Sequence, residues 1–226
     1  MDKIFFKKIF LCVASIVCLC AGFLFGCSTN NTQNNLMTYV SEYRQNLFIA
    51  KTEKFLATYT TGKREIDYIM DGQKTTLTDF GVLTVSFFGN ENFKQFCLTV
   101  NEDKFEGELE LNPYDGTFVF DTQHKTGDNS SIKLFMKDLN QQIELQCVSS
   151  FWTVNYHDAL NIFADKYKTQ LNNNFSKNLL DAEIYIKIVS KTKTIDNIYW
   201  YVLCVCKSGD MYACLIDPNT KEILQT

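Results

Sequence analysis

The chain has 226 residues, 46% hydrophobic and 14% aromatic, with two prolines and ten glycines. This composition excludes a disordered chain and any collagen-like or low-complexity period, and it suffices for one large domain or two small ones with real cores. A net charge of −4 with only two arginines excludes the basic footprint of a nucleic-acid-binding protein.

Lys3, Lys7 and Lys8 open the chain, and residues 9–25 follow without a charge. A positive start before an apolar run is the pattern of a secretory signal. The run ends in Leu24-Phe25-Gly26-Cys27, which resembles the lipobox of bacterial lipoproteins. The resemblance implies cleavage between Gly26 and Cys27 and acylation of the Cys27 thiol, of the palmitate type, on the extracytoplasmic face of the cell membrane. Phe25 is bulkier than the usual occupant of its position. The competing reading is an uncleaved single span, since a run of about eighteen apolar residues is just enough to cross a bilayer. On the lipoprotein reading, residues 1–26 are the signal peptide and 27–36 a polar tether rich in Asn and Thr.

Processing removes Cys12, Cys18 and Cys20 and consumes Cys27, leaving Cys97, Cys147, Cys204, Cys206 and Cys214. Five is odd and no Cys-x-x-Cys occurs, so neither a full disulfide framework nor a zinc site is expected. Buried free thiols are the reading, with a 204–214 or 206–214 bridge as the alternative. No cofactor and no metal site are expected.

Residues 37–150 read as a β domain, preceded at 37–50 by a short helix or an irregular lead-in. Residues 93–100 place Phe96, Leu98 and Val100 inward. Lys104-Phe-Glu-Gly-Glu-Leu-Glu-Leu111 alternates with Phe105, Leu109 and Leu111 on one face and Glu106, Glu108 and Glu110 on the other. Further strands are expected at 55–61, 64–70, 80–88, 117–121, 131–137 and 140–148, punctuated by turns at Asp71-Gly72, 113–116 and 127–129. Seven or eight short strands at this spacing predict an antiparallel β-sandwich of immunoglobulin-like size, within an α+β chain.

Residues 151–226 read differently. Asn155 caps a helix whose stripe is Tyr156, Ala159, Leu160, Phe163, Tyr167 and Leu171, ending at Asn172-Asn-Asn174. Strands follow at 182–189, 198–206 and 211–217, the last two joined across Lys207-Ser-Gly-Asp210, and a short final strand covers 222–225. Both faces of 198–206 are apolar, which predicts a central strand.

This order, with Tyr199-Trp-Tyr-Val202 and Leu215-Ile-Asp-Pro-Asn-Thr-Lys-Glu-Ile-Leu224, resembles a PepSY-type module, although Lys221 stands where glycine is usual. The resemblance covers about seventy residues and implies a role in restraining peptidases or binding peptides. The whole arrangement is also similar to uncharacterised lipoproteins of low-GC Gram-positive bacteria, on the strength of Gly62-Lys-Arg-Glu65, Tyr68 and Asp71-Gly72. Neither resemblance brings a catalytic residue.

Ser190-Lys-Thr-Lys193 and Lys125-Thr-Gly127 echo penicillin-interacting serine enzymes but in reversed order and without Ser-Asp-Asn. His124 and His157 have no nucleophile nearby in sequence. The acidic row at 106, 108 and 110 reads as the wet side of a sheet. Tyr199, Tyr201 and Tyr212 are the candidate walls of a peptide groove. The expectation is a membrane-anchored, non-enzymatic binding or regulatory module for a peptide, a protease or an envelope component. The alternatives are an envelope hydrolase or metal-assisted enzyme and a structural accessory subunit.

Overall fold

A computed structural model describes residues 33–66, 75–89, 93–176, 179–190 and 197–224. Contacts divide the chain into Met1–Asn35 and Leu36–Thr226, and the second unit holds the sheets and both helices. The strands are β1 Val40–Lys51, β2 Phe55–Glu65, β3 Leu77–Phe87, β4 Gln95–Val100, β5 Asp103–Glu108, β6 Glu110–Leu111, β7 Phe118–Thr122, β8 Ile132–Met136 and β9 Gln141–Cys147. Helices α1 Tyr156–Lys166 and α2 Lys168–Asn173 follow, then β10 Phe175–Ser176, β11 Leu179–Leu180, β12 Ala182–Ser190, β13 Ile198–Cys206, β14 Met211–Ile216 and β15 Ile223–Leu224. The protein is thus a β-rich α+β fold, as the sequence predicts.

Strands β1 to β9 do not form two separate open sheets. Pairing runs β1–β2–β3–β7–β6 on one side and β1–β9–β8–β4–β5 on the other. Because β5 and β6 are consecutive and joined at Leu109, the circuit closes into a ring. Leu109 is the hinge: its N–H donates to Lys94 O at 2.9 Å and its side chain is buried, while the chain changes partner from β4 to β7. Beyond the hinge Leu111 is exposed, contrary to its expected inward direction. β5 pairs only with β4 and β6 only with β7, so at this corner the chain itself, not a ladder, joins the two sheets' edges. Phe48, Phe55, Tyr59, Leu83, Phe96 and Leu134 fill the interior together with neighbouring aliphatic side chains.

Of residues 37–50, expected as a short helix or an irregular lead-in, 37–39 end a 3-10 helix and 40–50 are strand. A 3-10 turn over Gln33–Tyr39 leads into β1, which is the seam of the molecule. Its first half pairs parallel with β12 (Val40↔Ile184, Tyr43↔Ile186), and its second half pairs with β9 (Phe48↔Cys147). Register shifts fall between Val40 and Glu42 and between Arg44 and Asn46. These bulges bring Val40, Tyr43 and Leu47 into one core at spacings of three and four, which mimics a helical stripe. Opposite the second bulge, a Cβ on Gly62 would lie 2.0 Å from Tyr43 O, so only glycine fits. β1 crosses the junction expected at 150/151, since Leu47 and Ile49 join the core under the helix and Phe48 joins the ring interior.

In the second half, α1 packs on one face of β12–β14. Asn155 Oδ1 accepts from Asp158 N at 3.0 Å and Asp158 Oδ2 accepts from Asn155 N at 3.2 Å, a reciprocal capping box. Ala159, Leu160, Phe163 and Leu171 are buried against Trp200, Val202 and Cys214. The expected single helix breaks at Tyr167, whose hydroxyl donates to Ala213 O at 2.6 Å. β13 is central, between β12 and β14. In the last turn Lys221 adopts φ 67°, a left-handed conformation that favours glycine. Among the described residues no helix is long and apolar enough to cross a membrane; residues 9–25 lie outside them.

Candidate functional site

The site is assembled where the chain leaving β9 crosses the end of the helix-covered sheet. Val148 N donates to Leu47 O at 2.9 Å, and Leu47 N donates to Ser149 Oγ at 3.0 Å, which stitches this segment to β1. After the 3-10 turn Ser149–Phe151, Trp152 lies edge-to-face against Trp200, with centroids 5.4 Å apart at 83°. Trp200 is 1% exposed and donates Nε1–H to Val154 O at 2.9 Å, while Val154 N donates to Pro218 O at 2.9 Å. The strap 148–154 is thereby fixed to both β13 and the turn after β14.

Between strap and turn lies a cleft of about 170 Å³. Val148, Trp152, Ile198, Tyr199 and Pro218 supply its apolar walls. Its polar groups are Asn197, Asp217 and Asn219, and among the described residues no basic side chain lines it. Asp217 Oδ1 accepts from Asn219 N at 2.8 Å and from Thr220 N at 2.9 Å, closing an Asx-type turn. These backbone bonds, that of Thr220 foremost, hold the Asp217 carboxyl below the usual carboxylate range, so it stays ionised. Tyr199 Oη donates to Asn197 Oδ1 at 3.4 Å. An aromatic-walled recess carrying one fixed negative charge and two carboxamides can bind; among its described lining residues no nucleophile stands beside a base.

Of the three tyrosines read as groove walls, only Tyr199 borders the cleft. Tyr201 lies on the same face of β13, two residues on and half-buried. Tyr212 pairs with Cys204 and so lies on the opposite, helix-covered face, its ring 5.6 Å from that of Tyr167. Gly26 and Cys27 lie outside the described residues. Trp152 and Asp217 went unrecognised as cleft residues. The first reaches the site from the strap and the second reads as a plain turn residue.

Other candidate chemistry resolves as follows. His124 Nε2 is 2.8 Å from Asp103 Oδ2 and its Nδ1 is 3.3 Å from Thr126 Oγ1, an acid–imidazole–hydroxyl chain. Thr126 is 8% exposed and its carbonyl accepts from Asn46 Nδ2 at 3.1 Å, so the residue at the end of this chain is buried. His157 is exposed on the first turn of α1, its ring 4.2 Å from that of Tyr156. All five described cysteines are free. Burial pushes the Cys214 thiol up to about 11; it also raises Cys204, with the neighbouring Cys206 adding to the shift. These thiols pack as apolar groups and are poor nucleophiles. In the acidic row, Glu106 accepts from Lys137 Nζ at 2.7 Å and Glu108 from Gln95 Nε2 at 2.6 Å. Glu42, 3% exposed, is held by Arg44 at 3.1 Å and Lys187 at 3.5 Å. No group of three or more His, Cys, Asp and Glu among the described residues is arranged to hold a metal ion.

Comparison with protein-family models, curated proteins and solved structures returns no match.

Proposed function

We infer that this chain is a lipid-anchored protein of the extracytoplasmic face of a bacterial cell membrane, acting as a non-catalytic binding or regulatory module whose target is a peptide, free or as a segment of a protease or envelope component. The lipobox-like residues 24–27 support the anchor. The finer architecture behind this reading is a β domain of immunoglobulin-like size followed by a PepSY-like module. The helix lying on a β12–β14 sheet and the turn at Lys221 support the latter half.

The observation that carries the binding role is the cleft itself. Its walls are pre-organised by the stitched strap and the Trp152–Trp200 pair, so little ordering cost opposes a ligand. Its surface is more polar than apolar, so hydrogen-bonding groups beside two aromatic rings face a ligand. The hydrolase reading draws on the Asp103–His124–Thr126 chain, and it requires a Thr126 hydroxyl that substrate can reach.

The test uses the full-length chain in detergent against an array of random peptides. Selective binding that is lost in Trp152→Ala is the expected result. Turnover of a peptide or ester that disappears in His124→Ala would replace this reading with the hydrolase. For the anchor, Cys27→Ala should abolish labelling by palmitate and leave a precursor; normal maturation of that variant refutes it.

A further inference from the structure

The cleft is smaller than the roughly 300–1,000 Å³ that encloses a drug-sized ligand, at about 170 Å³. It therefore takes one side chain of a larger ligand, with the rest lying outside. Among the described residues its charge is one-sided: Asp217 is the charged residue lining it, and Trp152 and Tyr199 put aromatic rings in its walls. Among the described lining residues an anion meets no cation. A neutral apolar side chain would fill the walls but leave the negative charge of Asp217 without an opposite charge.

We propose that the cleft is a receptor for a primary ammonium carried on an aliphatic stem: the lysine side chain of a peptide. The four-carbon stem lies against Pro218 and the aromatic walls while the ammonium reaches the Asp217 carboxylate. Asn197 and Asn219, at the polar side of the cleft, pair with the amide groups flanking that lysine. Three features of the chain converge to make this pocket. The strap brings Trp152, the β13 strand brings Tyr199, and the Asx-type turn holds Asp217 ionised with its Oδ1 occupied by backbone donors. The turn chemistry matters for specificity, because an asparagine at 217 can keep both N–H bonds while losing the charge. This ligand class rests on the binding reading above and narrows it.

The test uses the full-length chain in detergent, labelled with 5-fluorotryptophan. The sequence contains two tryptophans, so two signals report the cleft (Trp152) and the buried core (Trp200), with Trp152→Phe assigning them. Four probes are titrated: Nα-acetyl-lysine N-methylamide, its norleucine isostere, n-butylamine and N-acetylglucosamine. The lysine derivative should shift the Trp152 signal with an affinity about tenfold or more above that of norleucine, the margin expected for a desolvated cation–aromatic and carboxylate contact. Asp217→Asn should erase that margin while leaving the Trp200 signal in place. Norleucine binding as tightly as lysine, or a margin surviving in Asp217→Asn, overturns the ammonium assignment but leaves a binding cleft. Butylamine matching the blocked lysine overturns the peptide part. N-acetylglucosamine alone shifting Trp152 makes the cleft a sugar site. Silence from all four probes, with a peptide array that selects nothing, brings down the binding reading as well.

Discussion

The ring of β1–β9 and the helix-covered sheet of β12–β15 close their backbones by different means. Around the ring the strands pair in succession from β6 through β1 to β5, whose two ends are joined by the chain at Leu109, and Phe96, Leu98, Val100, Leu134 and Met136 inside it are all 0% exposed. The polar Tyr59 within that core places its hydroxyl 3.0 Å from Thr122 Oγ1. The second sheet ends in an edge. β15 covers only Leu215 and Ile216 of β14, and the Tyr167 hydroxyl, rather than another strand, takes the Ala213 carbonyl. Its end is finished by a strap whose carbonyl at Val154 serves the Trp200 indole. Where strands do the closing, side chains fill the interior. Where side chains and a strap do it, a recess remains, and the cleft lies there.

The largest test of this contrast compares one deep truncation on each side. Trp200→Ala removes a fully buried indole together with its hydrogen bond, and Phe96→Ala empties the ring; each should cost about 3–5 kcal/mol in urea unfolding followed by far-UV circular dichroism. Because β1 gives Leu47 and Ile49 to one core and Phe48 to the other, both variants should unfold in a single transition. A Trp200→Ala protein that melts in two steps, sheet before ring, would show that the seam does not couple them.

The second test is at the seam. Gly62→Ala forces a Cβ to 2.0 Å from Tyr43 O, backbone that can move only by opening the β1–β2 ladder. The expected loss is about 1–3 kcal/mol in unfolding midpoint converted through the slope. Gly107→Ala is the control within the ring, since its nearest neighbour would be Phe96 Cε1 at 3.9 Å, an ordinary contact. Equal losses at the two glycines would remove the steric account of the bulge.

What could be read from sequence was local. β4 alternates as expected, with Phe96, Leu98 and Val100 buried, because one face is wet and the other dry over six consecutive residues. The Asn155 cap and the β13–β14 hairpin are likewise written in short spacings. β1 escaped because its two bulges break the period of two and leave a helical one. Ring closure escaped because its pairs are remote: Phe48 meets Cys147, and Leu109 turns the strand toward a new partner. At the site, grouping Tyr212 with Tyr199 overlooked strand parity. The hairpin bond Cys206 N to Asp210 O, at 2.8 Å, sets a register that puts Tyr212 across from Cys204, on the helix side. Trp152 carried no signal of its own, since its role depends on where the strap lands.

The smallest effect lies at the cleft and distinguishes a charge held by backbone donors from one held by an ion pair. The Asp217 carboxyl is held low by the N–H groups of Thr220 and Asn219, against a smaller opposing effect of burial. A carboxyl whose folded value is depressed adds stability above its unfolded value of 3.8, and that stability is lost as pH falls through the folded value. The group is largely solvent-exposed, so the contribution is a fraction of what a buried pair supplies. Unfolding midpoints of the full-length chain and of Asp217→Asn should run parallel from neutral pH to about pH 4. Below that the curves should converge, because asparagine accepts the same two N–H bonds without titrating. Added salt should change the gap little, since no mobile counter-charge is involved. Curves that stay parallel down to the acid limit would mean that the turn draws nothing from the ionised form. The cleft's charge would then be incidental to its fold, although still present for a ligand.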